Sequence, residues 1–274
     1  MSAMPPVIGD TDAPENYWGT VRRLSAAQKT AAPGAPAYSI YVNRRLGRYL
    51  AAAAHRVGLA PNSVTAISAV FTFSGILLLS IGAPTWGLGL SVWLLLAVGY
   101  ALDSADGQVA RLRGGGSPSG EWLDHVVDSV KISSLHLSVL VTAFRHFDLP
   151  SPAWLLIPLG FTVVAAVTFF AMILNDLLKA KHATRGEEVT PRRSTAWRSL
   201  LLIPTDYGIL CLVFVLLGAP QLFFTVYTVI FAANAAFLVL ALRKWFRDMS
   251  SLGPAEGMTI SEPGELSSDL TSSD

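Results

Sequence analysis

Residues 103–128 read DSADGQVARLRGGGSPSGEWLDHVVD. Four carboxylates, Asp103, Asp106, Asp124 and Asp128, fall across the end of one apolar run, a glycine-rich loop and the start of the next run. One ionised aspartate near hydrocarbon costs about 2.5–3.5 kcal/mol on insertion scales, so four together call for a cation or a reaction. Asp103 and Asp106 lie three apart, Asp124 and Asp128 four apart, so each pair projects from one face of its own helix. Between them Gly114, Gly115, Gly116, Ser117, Pro118 and Gly120 have the composition of a tight reversal, which lets the two faces meet.

Converging oxygen ligands suit hard divalent cations such as magnesium or manganese; zinc would want His or Cys. The single cysteine, Cys211, stands in an apolar run, so intrachain disulfides and thiolate metal sites are excluded.

The same stretch reads D-x-x-D-G-x-x-A-R-x8-G-x-x-x-D-x-x-x-D, through Asp103, Asp106, Gly107, Ala110, Arg111, Gly120, Asp124 and Asp128. It resembles the signature of the CDP-alcohol phosphatidyltransferases, integral membrane enzymes of phospholipid synthesis. The resemblance implies transfer of a substituted phosphate group from a CDP-alcohol, such as CDP-diacylglycerol, to the hydroxyl of a polar alcohol, with release of CMP. It implies two ions, Mg2+ or Mn2+, on Asp103, Asp106 and Asp124, with Asp128 as a further ligand and as the catalytic general base. Two metals on shared carboxylates would neutralise the charge that develops on the phosphate oxygens.

Donor binding is expected around the same motif. Gly107 shares a helical face with Asp103, where a missing side chain either lets a nucleotide approach the backbone or only permits helix packing. Ala110 extends that slot. Arg111 offers a planar fork for phosphate, or marks the membrane edge, and the Ser117 hydroxyl can donate a hydrogen bond. Pro61-Asn62-Ser63-Val64-Thr65 has the look of a helix start, for which a cap alone is sufficient explanation. Similar PNxxT openings in the family imply that Asn62 and Thr65 lie beside the nucleotide.

Composition agrees with a membrane protein. The chain has 274 residues, 52% hydrophobic and 14% charged, with a mean hydropathy of +0.48; an average soluble domain carries roughly 25% charged residues. The fold class expected is an all-α integral membrane protein with six transmembrane helices: Ser63 to Ile81, Leu88 to Ala110, Val126 to Phe144, Trp154 to Leu178, Ser199 to Leu217 and Leu222 to Leu242. Before them Ser39 to Val57 mixes apolar residues with Arg44, Arg45, Arg48 and Arg56. This reads as an interfacial amphipathic helix, or else as a soluble helix packing on the loops. The layout is a disordered tail over 1–37, the interfacial helix over 38–58, the six-helix domain over 59–247 and a disordered acidic tail over 248–274. The N-terminal stretch lacks the apolar run of a signal peptide.

Lys and Arg placement sets the orientation. Arg111, Arg113, Lys179, Lys181, Arg185, Arg192, Arg193, Arg198, Arg243, Lys244 and Arg247 fall on one side of an alternating chain. Arg145 is the only Lys or Arg in the connections on the other. Both termini and the acidic site are therefore expected to face the cytoplasm, in the plasma membrane.

The acceptor site is the least defined. Lys131 lies three residues past Asp128 and either reaches a phosphate or neutralises the carboxylates. Arg192 and Arg193, with Lys179, Lys181 and Arg198, either hold a phosphorylated acceptor or only follow the positive-inside pattern. Asn175, Asp176, Asp206 and Tyr207 are polar residues at or within spans. The segment YVNRRLGRYL followed by Pro-Asn resembles the inositol-phosphate and sugar-phosphate acceptor branch of the family. His125, rotated about 100° from Asp124, reads as an interfacial residue and not a ligand. Expected partners are the CDP-alcohol, a polar alcohol or alcohol phosphate and membrane lipids, with room for a homodimer and no nucleic acid. A CDP-alcohol hydrolase using water shares every donor residue; a divalent-cation transporter would want acids across the membrane, not gathered at one edge.

Overall fold

The structure, a computed structural model, describes residues 16–26, 37–183 and 205–252. Their regular structure is all helical. Helix α1 spans Tyr17–Ala26. A π-helical turn, Ser39–Asn43, leads into α2, Arg44–Arg56; then come α3, Pro61–Ile81, α4, Trp86–Leu112, and α5, Pro118–His146. A 3-10 turn, Pro152–Leu155, opens α6, Leu156–Ala183. Helix α7, Tyr207–Val213, continues as a 3-10 turn, Phe214–Gly218, before α8, Pro220–Ser250.

Five helical segments are long and apolar enough to cross a membrane: Pro61–Ile81, Trp86–Leu112, Pro118–His146, Pro152–His182 and Pro220–Ser250. This is a multi-pass membrane protein. Of the expected span Ser199 to Leu217, only the part from Thr205 is described, and Tyr207–Gly218 is a shorter apolar helix. Arg185, Arg192, Arg193 and Arg198 lie outside the described residues.

Local chemistry sets the helix ends. Proline stands at the start of α3, α5 and α8, where its missing N–H costs no hydrogen bond. The hydroxyls of Thr85 and Ser117 accept from Leu88 N–H and Gly120 N–H, capping α4 and α5. Helix α4 ends where Gly114 and Gly115 adopt φ of 93° and 134°, a region costly for residues with a Cβ. That reversal turns the chain back, as the glycine-rich loop predicts, and α5 packs beside α3. Arg113 donates from Nη2 to the carbonyls of Gly58 and Leu59, at 2.9 and 3.0 Å, and ties the loop to the α2–α3 link.

Two clusters hold the bundle. In the larger, Ile76, Leu79, Leu96, Leu135 and Val139 of α3 to α5 meet Phe161, Phe214, Phe223 and Tyr227 of the later segments. The smaller lies under α1 and α2, where Val21, Leu24, Ala51, Ala52 and Ala54 pack on Val64, Ala105 and Val109. Small residues bring α3 and α4 close: the Ser68 hydroxyl donates to Gly99 O at 2.8 Å, and a Cβ on Gly99 would sit 2.2 Å from Thr72 Oγ1.

Three expectations shift. The stretch 1–37, read as a disordered tail, contains α1, which buries Thr20, Val21 and Leu24 against α2 because the run YWGTVRRLSA carries an apolar stripe. Helix α2 packs along α4, with Asn43 Nδ2 donating to Tyr100 O and a Cβ on Gly47 falling 2.8 Å from Ser104 Oγ. Finally, α8 extends through Asp248, which pairs with Lys179 at 3.3 Å and Lys244 at 3.6 Å, so the helix runs past the expected tail boundary.

Candidate active site

Helix α4 presents Asp103 and Asp106, helix α5 presents Asp124 and Asp128, and the loop brings the two ends together. One carboxylate oxygen each from Asp103, Asp106 and Asp124 lies within 4.8 Å of the others. Asp106 is buried and the other two half-buried, so the group sits at the wall of the bundle and not out in solvent. Three converging carboxylates repel one another unless a cation is shared among them, and the all-oxygen donor set fits a hard divalent ion.

A third helix orients the cluster. Thr65, buried on the first turns of α3, donates from Oγ1 to Asp106 Oδ2 at 2.6 Å, while Asp106 Oδ1 accepts from the Gly107 N–H. Thr65 was expected beside the nucleotide; it holds a motif carboxylate. The cap explanation for this segment does not apply, because the N-cap is Ala60 and no side chain caps α3. Asn62 is exposed. Its Oδ1 lies 3.0 Å from where a Cβ on Gly120 would stand, so the motif glycine leaves room for α3 to meet the start of α5.

Asp128 stands apart from the triad. The Lys131 ammonium contacts Asp128 Oδ1 and lies 3.3 Å from Asp103 Oδ1, linking α5 to α4. Lys131 is buried, with the Tyr207 ring centroid 5.6 Å from its Nζ. Tyr207 packs edge-on against Tyr100, which stacks on Tyr38, and Asp206 accepts from the N–H groups of Ser39 and Gly208. The Tyr207 contact was invisible in the sequence: nothing in the spacing joins residue 131 to residue 207.

The donor-side residues divide. Gly107 is exposed, and a Cβ there would meet nothing within 4 Å, so it serves no helix contact and faces open space beside Asp106. Ala110 is buried, and its carbonyl accepts from Gly115 N–H at 3.0 Å, closing the helix. Arg111 is exposed in the last turn of α4. The Ser117 hydroxyl is occupied as the α5 cap and lies 3.1 Å from Ser119 Oγ. His125 lies 3.9 Å from Glu121 and edge-on to Phe169 and is not one of the three converging ligand residues. Asn175 is buried and Asp176 exposed on α6.

A family model described as CDP-alcohol phosphatidyltransferase matches residues 58–241. Cholinephosphotransferase 1 of Xenopus laevis is 36% identical over 98 residues, which are 34% of this chain and 24% of that protein. The matched stretch thus spans about a quarter of that relative's length. Two solved structures of phosphatidylinositol phosphate synthase from Mycobacterium tuberculosis are also similar. The one with CDP-DAG bound has a TM-score of 0.48 at 20% identity, covering 75% of this chain and 94% of that one. The one in complex with manganese and citrate has a TM-score of 0.46 at 21% identity, covering 72% and 87%. The family match takes in most of the chain, including every motif residue from Asn62 to Asp128, and on it this chain belongs to the CDP-alcohol phosphatidyltransferase family.

Proposed function

We propose that this chain transfers a substituted phosphate group from a CDP-alcohol such as CDP-diacylglycerol to the hydroxyl of a polar alcohol. The observation that carries this reading is the carboxylate triad of Asp103, Asp106 and Asp124 beside the open space at Gly107. A cation alone would need the triad; a nucleotide diphosphate would also use the bare backbone next to it.

The acceptor oxygen attacks the phosphorus on the alcohol side of the diphosphate, the bond to the bridging oxygen breaks, and CMP leaves with that oxygen. Asp103, Asp106 and Asp124 would hold magnesium or manganese, which when bound neutralises the charge gained by the phosphate oxygens. Thr65 fixes Asp106 from α3, so the ligand set does not have to reorganise on binding. Gly107 admits the donor to the α4 backbone, and Arg111 supplies an exposed guanidinium for its phosphates. Asp128 takes the acceptor hydroxyl's proton. In this reading the chain crosses the membrane six times, α2 lies in the interface with its arginines toward anionic headgroups, and the cluster faces the cytoplasm. Arg192 and Arg193 recognise the phosphate of a phosphorylated acceptor.

Purified protein given radiolabelled CDP-diacylglycerol and a panel of polar alcohols and their phosphates should form labelled lipid product with one class of acceptor. CMP release with water alone would make it a hydrolase, and no turnover of any CDP-alcohol would reject the reading.

A further inference from the structure

At the end of the bundle away from the carboxylate triad, a cavity of about 220 Å³ opens between the α5–α6 connection and the first turns of α8. About 35 Å of helix, at 1.5 Å per residue, separates Asp124 near the start of α5 from Phe147 just past its end. Phe147, Trp154 and Phe224 wall this cavity. Phe224 is buried in the aromatic cluster; the Phe147 ring stands edge-on to it, with centroids 5.9 Å and planes 85° apart, and the Trp154 ring is tilted by 60° at 6.3 Å. Rings set this steeply to one another border a space on several sides instead of stacking into one slab. The same wall holds an anion, Asp148. No Lys or Arg among the described residues pairs with it, and Arg145, the nearest in sequence, donates from Nη1 to Ser80 O on α3 at 2.8 Å.

These features select a class of ligand. Asp148 repels an anion, and an acyl chain has no use for a carboxylate. A hard metal ion wants several oxygen ligands and would meet one carboxylate. A primary ammonium brings three N–H donors to a space bordered mainly by apolar side chains. A quaternary ammonium has no donor to satisfy, and aromatic faces attract it. The cavity is smaller than the roughly 300–1,000 Å³ of pockets for drug-sized ligands, which suits a compact headgroup. Trp154 at a helix end also marks the depth where lipid headgroups are dense. We propose that this cavity binds a quaternary ammonium group, with Asp148 as its counter-ion and Phe147, Trp154 and Phe224 as its walls. Such a group arrives on a lipid headgroup or as a free small ion, and the chemistry that recognises it is the same. The site is separate from the triad and does not depend on the transfer reaction proposed above.

The test compares choline with its uncharged isostere, 3,3-dimethylbutanol. Full-length protein in nanodiscs of phosphatidylglycerol, a lipid without an ammonium group, is titrated with each by calorimetry against empty discs. Choline should bind saturably and the alcohol should not. Asp148→Asn and Trp154→Leu should each weaken choline binding by about fivefold or more, while Asp106→Asn, at the far end of the bundle, should leave it in place. No saturable choline binding, or equal binding of the alcohol, would overturn the proposal. So would binding that is lost in Asp106→Asn and kept in Asp148→Asn, which would put the ion at the acidic cluster. If Trp154→Leu does not fold, Asp148→Asn decides, since it alters one exposed carboxylate. Phosphatidylcholine added to the discs separates the two sources: weakened choline binding makes the lipid headgroup the occupant, and unaltered binding makes it the free ion.

Discussion

At one end of the bundle α3, α4 and α5 meet through Thr65, Asp103, Asp106, Asp124, Asp128 and Lys131; further along, the same helices pack on Phe161, Phe214, Phe223 and Tyr227 of the later segments. Both regions contain buried polar groups. In the aromatic region His136 Nδ1 and Tyr227 Oη lie 2.8 Å apart, with the Phe161 ring stacked on His136 at 3.9 Å. There the pair is complete within itself, and shape does the rest of the work of holding the helices. At the acidic end the carboxylates outnumber the one lysine, so the arrangement is unfinished until something positive binds. Hydrocarbon gives helices no hydrophobic reason to associate, and aromatic packing at the far end supplies the rigidity against which the like charges are held together.

Substitutions that change one or two heavy atoms should therefore have unequal effects at the two ends. The largest is expected at the triad. Asp106→Asn, nearly isosteric, should abolish metal-dependent nucleotide binding measured by calorimetry, because it removes a ligand charge and leaves one acceptor oxygen where Thr65 and the Gly107 N–H now use two. Asp128→Asn should keep measurable CDP-alcohol binding while transfer falls by about 10²-fold or more, within the roughly 10²–10⁴ range of general-base catalysis. Near-normal transfer by the Asp128 variant would remove that residue from its role.

One step out from the triad, Thr65→Val should weaken manganese affinity by about 10–100-fold, the usual cost of losing a group that orients a ligand. An unchanged affinity would mean that Asp106 needs no help from α3. Gly107→Ala separates packing from binding by sign. With no contact for the new methyl, the helix should gain about 0.5–1 kcal/mol, while the KM for the CDP-alcohol should rise. A stabilised variant with unaltered kinetics would show that the donor does not use this face. The smallest effect belongs to the aromatic region: Tyr227→Phe should cost about 0.6 kcal/mol, typical of a buried hydrogen bond between membrane helices, and leave both KM values in place.

What could be read from residue order differs between the same two regions. The motif spacing within 103–128 carried the acidic pairs, the glycine reversal and their convergence, because each rests on helix period and turn chemistry within a few residues. Partners from distant parts of the chain were not legible. Thr65 is forty-one residues from Asp106, and the sequence gives it the look of a helix-start residue. Lys131 reads equally well as a phosphate ligand or a counter-charge until Tyr207 is seen over it. The order in α1 was missed for another reason. Ten residues in which Val21 and Leu24 flank a pair of arginines look like a polar tail, and their stability comes from Ala51, Ala52 and Ala54 of α2, small residues that accept Val21 and Leu24 against them. Gly47 was the available signal: a glycine inside an arginine-rich amphipathic helix marks a close approach to another helix, here at Ser104 and Gln108 of α4.

The most direct test of the account is CMP release by the purified protein from a CDP-alcohol with its acceptor, followed in magnesium or manganese, then in excess EDTA, then after metal is restored. If the carboxylate triad is the site, turnover stops in EDTA and returns with either metal. Undiminished turnover in excess EDTA would contradict the account at its centre, since three converging carboxylates would then have no part in the chemistry.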